Sequence, residues 1–433
     1  MSENVIHIVV DEITPRMEFV FDFMFNQVLQ TNYVLHLPNQ QNIPIDSVFY
    51  YSINHSTNAL CIIAHPLLFN TGNEKIDLKT TKYQSFSYPF ATANNSLLPF
   101  DPFAAAFYFL SQYEEQCENF PSDHHSRFKA NQSSIAPYIH YPMVDMVCKI
   151  LKMKLVENGF RFANQSNRYS FTPTFDIDVA YAHKAKSLKR HFLGTAKLAL
   201  HMKHKELIER FKVWMKIKND PYDIFDLLLD LFEELQIKAL FFALIAKNGE
   251  YDHNNSAHST LYQNLIRRLN KKQKVYLHSS YGCMDNNELL QHEKQTLEAI
   301  LKTELSANRQ HFLRFRLPEY WKLLIENNIF DDYSQGFYDT WGYRCGTSFS
   351  HQAFDIKRNQ VLPITIHPFI FMDTALIKEY KNDVVLVHEK MIEIVTEAKS
   401  LGVPCIGVWH NYAMPHDSLY LDNFVDVLKF AYL

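Results

Sequence analysis

From Tyr169 onward the chain alternates short apolar runs with longer amphipathic ones, and this alternation limits the fold more than any other feature. Strand-like runs recur at Tyr169–Ile177, Ala239–Ala246, Lys274–Ser279, His311–Arg316, Ile329–Tyr333, Leu362–His367 and Cys405–His410. Helical spacing fills intervals at Pro221–Gln236, Ser256–Leu269, Asn287–Leu305, Tyr320–Asn327 and Val387–Ser400. Parallel strands need crossovers of this kind, so the pattern predicts a parallel α/β sheet. Seven strands point to a barrel, whole or incomplete, rather than a flat sheet. In such folds chemistry collects at the C-terminal strand ends. Asp176, Asp178, His278, Arg316, His367 and His410 all fall at those predicted ends.

The first of these strands runs into FTPTFDIDVAYAH, residues 171–183. Strand side chains alternate, so Asp176 and Asp178 share a face. Two carboxylates that close do not both stay ionised without a cation or proton between them. The pair suits a metal ligand beside a general base. An Asp-x-Asp at a strand end can also simply cap the following turn.

A chain of 433 residues exceeds one ordinary core, so two domains are expected, with the break near 158–168 where ENGFRFANQSNR interrupts the pattern. In the first half, Arg16–Leu29 has helical spacing after Thr14-Pro15, and Asp101–Gln112 reads as a buried helix with an Asp cap. The net charge of −4 excludes a general nucleic-acid binder. Six Cys without a CxxC pair read as free thiols. The N-terminus lacks a basic stretch followed by a long apolar run, and no segment reaches the ~18 apolar residues of a membrane span, so a cytoplasmic location is expected. Residues 184–218 stand apart: eleven Lys and Arg oppose only Glu206 and Glu209, with Phe192, Leu198, Leu200, Phe211, Trp214 and Met215 interleaved. Such a stretch is either a solvated helical excursion or a peripheral contact with an anionic membrane, which would place the protein at the inner face of the membrane.

Taken in order, the strand-end residues carry a family resemblance. Thr174-Phe175-Asp176-Ile177-Asp178 resembles the first motif of the polysaccharide deacetylases of the NodB-homology, carbohydrate esterase 4 type. His278-Ser279-Ser280, Phe315-Arg316-Leu317-Pro318 and Val408-Trp409-His410 resemble later motifs in the same order, over roughly residues 168–425. In the first half, PFDPFAAAFYFLSQYEE and residues 123–128 resemble a domain of unknown role that precedes deacetylase-like domains in Bacteroidota-type proteins. The resemblance implies a distorted (β/α)7 barrel at 168–433 preceded by a smaller α/β (α+β) domain at 1–160. It implies metal-dependent removal of an N-acetyl group from an amino-sugar-containing carbohydrate or glycolipid. Asp176 would be the general base, and Asp178 and His278 would bind a divalent metal, Zn²⁺ by preference. Arg316 would hold Asp176 ionised, with Arg314 competing for that role, and His410 would be the general acid.

The sequence departs from the family at Gly282, where a second His is expected four residues after the first. His367 or His292 could supply the third metal ligand. Asp331, Asp332 and Asp339 lie where an Asp orienting the general acid is expected. With Gly282 in that position, the alternative is a barrel without catalysis that binds carbohydrate or acts as a scaffold.

Overall fold

The computed structural model describes all residues except 1–4, 41–42, 44–46, 55–58, 94, 164–167 and 185–203, and the side chains of 204–206. Numbered in chain order, its strands are β1 (Val5–Val10), β2 (Asn32–His36), β3 (Val48–Ser52), β4 (Cys61–Ile63), β5 (Thr80–Tyr83), β6 (Phe86–Pro89), β7 (Ser170–Ile177), β8 (Leu240–Leu244), β9 (Lys274–Ser279), β10 (Ala307–Gln310), β11 (Asp331–Asp332), β12 (His351–Asp355), β13 (Gln360–Ile366), β14 (Phe371–Met372) and β15 (Pro404–His410). The chain packs as two compact units. The expected division is continuous in sequence, whereas these units are not: the first comprises Met1–Arg168, Arg316–Lys322 and Gly342–Pro368, and the second holds the remainder.

In the first unit a parallel sheet runs in the order β2-β1-β3-β4. Thr14 caps the helix Pro15–Phe21 by accepting from Met17 N, and the chain continues in wider turns over Asp22–Val28. Asp101 caps the wholly buried helix Pro102–Leu110. One oxygen accepts from Phe103 N and Ala104 N, and the other from His65 N and Tyr51 Oη. These four bonds let a carboxyl group sit in an aromatic core whose rings include Phe21, Phe49 and Phe103, with Phe21 and Phe103 4.4 Å apart at their centroids. The antiparallel hairpin β12–β13 belongs to this unit. Gln116 Nε2 donates to Phe354 O at 2.8 Å, and Arg344 Nε donates to Glu115 Oε1 at 2.9 Å.

The second unit carries the parallel sheet. Its strands run β11-β10-β9-β8-β7-β15-β14, and every neighbouring pair is parallel. The helices Phe225–Glu234, Thr260–Lys272, Asn287–Leu301, Glu319–Glu326 and Val384–Leu401 fall between the strands in sequence. Seven parallel strands are present, but the sheet is not closed. The expected barrel is therefore corrected to an open sheet: β11 and β14, two residues each, do not pair with one another. Strands this short offer little ladder with which to close a ring.

The sheet is nevertheless curled. Arg309 on β10 stands three strands from Asp176 on β7, which in a flat sheet is ~14 Å, more than the two side chains span. Its Nη1 still donates to Asp176 Oδ1 at 2.7 Å. The C-terminal strand ends thus converge on one point.

Two strand assignments move. The run Leu362–His367 lies mostly within β13, antiparallel to β12, and the parallel strand after β11 is β14. The run His311–Arg316 is not a strand. The strand ends at Gln310, and Phe312 and Leu313 follow with φ of 62° and 51°. β10 reads Ala-Asn-Arg-Gln and every residue is buried. A polar strand buried on both faces gives no hydrophobic signal, which is why the apolar residues beyond it drew the assignment.

No helix among the described residues is long and apolar enough to cross a membrane. All six Cys are buried and unpaired. Most of the basic stretch, 185–203, lies outside the described residues. Its two ends do not: Asp220 Oδ1 accepts from Ala182 N, and Asp220 Oδ2 accepts from His183 N and Lys184 N, at 2.8–2.9 Å.

Candidate metal centre

β7 presents Thr174 and Asp176 on one face, and Asp178 follows one residue past its end. β15 pairs with β7 so that His410 lies beside Asp176. β9 ends with His278 and Ser279, and pairing of β9 with β10 sets His278 against Arg309. His311 is the first residue beyond β10 and shares a face with Arg309 by alternation. Asp176, Asp178, His278, Arg309, His311 and His410 are all buried, Asp178 being the most open at 9 %.

Asp178, His278 and His311 offer ligand atoms that all lie within 4.8 Å of one another. His278 Nε2 is 3.2 Å from Asp178 Oδ1, and His311 Nε2 is 3.8 Å from Asp178 Oδ2. The other ring nitrogens decide what these contacts mean. His278 Nδ1 is 2.8 Å from Arg309 O, and a carbonyl only accepts, so Nδ1 carries the proton. His311 Nδ1 is likewise 2.8 Å from Asp252 Oδ1, an oxygen that also accepts from Tyr281 N. As neutral rings, both histidines turn Nε2 lone pairs toward a carboxylate. Asp178 Oδ1 is buried and takes no hydrogen bond of acceptable geometry, despite His278 Nε2 at 3.2 Å. Lone pairs facing lone pairs are stable only with protons or a cation between them. Two imidazoles with their far nitrogens held by acceptors, plus one carboxylate, make a donor set that fits a divalent transition metal, for which ligand atoms ~2.1 Å from a common centre stand about 3.4 Å apart. Without a metal, burial pushes the Asp178 carboxyl up, but His311, His278 and His410 hold it well below the usual range. Burial lowers His311 too, yet Asp178 and Asp252 raise it to about 10. Such mutual stabilisation is the electrostatic image of a site built for positive charge.

Asp176 does not belong to that triad. Arg309 Nη1 donates to both Asp176 Oδ1 (2.7 Å) and Thr174 Oγ1 (2.9 Å), and the guanidinium lies over the Phe242 ring at 4.3 Å. Thr174 Oγ1 donates in turn to Gly407 O. Asp176 Oδ2 faces His278 Nε2 at 3.7 Å and His410 Nε2 at 3.9 Å. On the far side of His410, Nδ1 meets Asp373 Oδ1 at 2.7 Å, and the backbone N of His410 donates to Asp373 Oδ2 at 2.7 Å. Burial alone would lower His410, but Asp373, with smaller help from Asp178 and Asp176, raises it to about 9.

The structure thus gathers four of the residues singled out in the sequence: Asp176, Asp178, His278 and His410. It does not bring two others to the group. The cation on Asp176 is Arg309, whereas Arg316 is an exposed residue of the first unit and Arg314 contacts Tyr281 O and Asp285. The third side chain that offers a ligand atom beside Asp178 and His278 is His311. His367 belongs to the first unit, where its Nδ1 lies 2.8 Å from Ser350 Oγ, and His292 is exposed on the helix Asn287–Leu301. The group orienting His410 is Asp373, just after β14, and not Asp331, Asp332 or Asp339. Asp332 is spent on Ser334 N and Gln335 Nε2. Each displacement traces to strand placement. Setting β10 four residues early and recognising β14 brings Arg309, His311 and Asp373 to strand ends. The spacing Arg309-x-His311 then answers Asp176-x-Asp178.

A cavity of about 1080 Å³ in the second unit is lined by Val179, Ile245, His253, His258, His292 and Glu293 among others. None of the six central residues lines it.

Residues 6–159 match a family of unknown function (DUF7033). No curated protein matches the chain. Among solved structures it is similar to a protein of Mycobacterium smegmatis described as a polysaccharide deacetylase (TM-score 0.40, 10 % identity, 63 % of this chain and 86 % of that one). It is also similar to a polysaccharide deacetylase of Pseudomonas aeruginosa PAO1 (TM-score 0.39, 13 % identity, 61 % and 85 %). A CE4-family pseudoenzyme of Bacillus anthracis is more distant (TM-score 0.29, 11 % identity, 49 % and 57 %). These similarities are too distant to assign a role to any residue.

Proposed function

We propose that the second unit is a metal-dependent hydrolase that removes the N-acetyl group from an amino-sugar-containing carbohydrate or glycolipid. The observation that carries this reading is the pair of Nδ1-anchored histidines turned, with Asp178, toward a common point beside Asp176. Asp178, His278 and His311 would hold a divalent ion, Zn²⁺ by preference, which when bound would polarise the amide carbonyl and acidify a water. Asp176, kept next to the Arg309 guanidinium, accepts the proton of the attacking water. His410, held as the imidazolium by Asp373, gives its proton to the leaving amine, so the C–N bond breaks to a neutral amine and acetate. The motif order of the sequence supports the same reaction class. The binding-only alternative drew on Gly282, and His311 supplies a ligand without that position.

Metal analysis with an amine-release assay on N-acetylglucosamine oligomers tests the reading. One equivalent of divalent ion is expected, absent from Asp178→Ala and His278→Ala, and removal by a chelator should abolish amine release until Zn²⁺ is restored. Protein that releases no amine in the presence of added metal, or that works equally well after chelation, would overturn it.

The role of Asp373 gives a second expectation. His410 must be protonated to act, and its raised value of about 9 means activity should fall as pH rises through that region. Removing the neighbouring charge in Asp373→Asn lowers the value, so the alkaline limb should move toward neutral pH and the rate at pH 8 should drop by on the order of 10²-fold. A pH–rate profile with an unmoved alkaline limb would exclude Asp373 from this task.

A further inference from the structure

The helix His204–Trp214 is turned the wrong way round for a soluble helix. Apolar residues at helical spacing ordinarily face the core. Here Ile208, Phe211, Trp214 and Met215, together with Ile217 just beyond, are 50–68 % exposed, while Arg210 and Val213 are the buried positions. Phe211 and Trp214 stand 6.2 Å apart at their ring centroids. Lys212, Lys216 and Lys218 flank the stripe and are exposed. Lys218 meets Glu209 at 2.8 Å, a surface pair that offsets little. The sequence leading into the helix adds Lys184, Lys186, Lys189, Arg190, Lys197 and Lys203.

We propose that this face docks on an anionic lipid bilayer. Aromatic and long apolar side chains ringed by lysines match the headgroup boundary of such a membrane, where each basic group adds attraction to anionic lipid. Charge argues for this occupant over a second copy. Self-association through this face would bring Lys212, Lys216 and Lys218 against their own copies, and the like charges would repel. Placement adds a second point. Asp220 clamps residues 182–184, so the stretch leaves the sheet at the strand end that carries Asp176 and Asp178. The docking itself is independent of whether that site is catalytic.

The test is sedimentation of the full chain with vesicles, read alongside tryptophan fluorescence. Trp214 is 64 % exposed, whereas Trp321, Trp341 and Trp409 are at most 9 % exposed, so a spectral change on binding reports Trp214. Co-sedimentation and a blue shift are expected with phosphatidylcholine vesicles containing about 30 % phosphatidylglycerol at about 0.1 M salt. Neither is expected with phosphatidylcholine alone. The triple variant Phe211→Ser, Trp214→Ser, Met215→Ser and the double variant Lys212→Glu, Lys216→Glu should each weaken vesicle binding at least ~10-fold with unchanged circular dichroism and melting. Failure to bind anionic vesicles, equal binding to neutral ones, or binding that both variants retain would overturn the proposal. So would a dimer, or a complex with an acidic protein, that the same variants abolish while vesicles are ignored.

Discussion

His311→Ala is expected to empty the metal site and stop deacetylation, whereas His367→Ala and His292→Ala should leave both within about a factor of two. Losing a group that merely braces a ligand costs roughly 10–100-fold in metal affinity, and losing a ligand should cost more. His311 Nε2 faces Asp178, its Nδ1 is fixed by Asp252, and its backbone is carried past β10 by two non-glycine residues in the left-handed region. Such conformations persist where the surroundings enforce them, and they cluster at functional sites. Metal content by elemental analysis, metal affinity by calorimetry and a melting curve to verify folding make the comparison. Stoichiometric metal in His311→Ala, or its loss in His367→Ala, would remove His311 from the centre.

Arg309→Met should destabilise the second unit by roughly 3–5 kcal/mol, because it strands a buried carboxylate without its cation. Asp176 is 3 % exposed, and the two charge-assisted contacts from Nη1 to Asp176 and Thr174 vanish together. The same change at Arg316, which is exposed, should stay within about 0.5 kcal/mol. Denaturant midpoints measure both, and amine release should be lost in the first variant and kept in the second. Equal midpoints for the two variants would mean that Arg309 does not compensate Asp176.

Where hydrophobic alternation was strong, the sequence was legible. Lys274–Ser279 is a strand with the expected bounds, Asp101 caps the expected helix, and β7 ends at the two acids as its pattern requires. Legibility failed where a strand is short or polar. β10 hides Asn308, Arg309 and Gln310 in the interior, each hydrogen-bonded to side-chain or backbone partners that no local pattern announces. β14 is two residues long and cannot show alternation at all. The resulting errors fell on Arg309, His311 and Asp373, the three groups that complete the candidate site. Their partners in the site lie between 31 and 135 residues away, so each depends on tertiary convergence of strand ends. The expectation of a ring rested on the count of seven strands, and the sheet curls enough to bring Arg309 to Asp176 without closing.

The clamp at Asp220 has a consequence for how this chain can change over time. Because one buried carboxylate holds the backbone of residues 182–184 beside its own position, the two ends of the basic stretch are tied together independently of what lies between them. Lengthening a tethered loop costs only about 0.6 kcal/mol per doubling. Insertions or deletions between residues 185 and 203 should therefore leave the strand registers around Asp176 and Asp178 untouched. The segment proposed to dock on a membrane can thus diverge without disturbing the strand ends that form the candidate site.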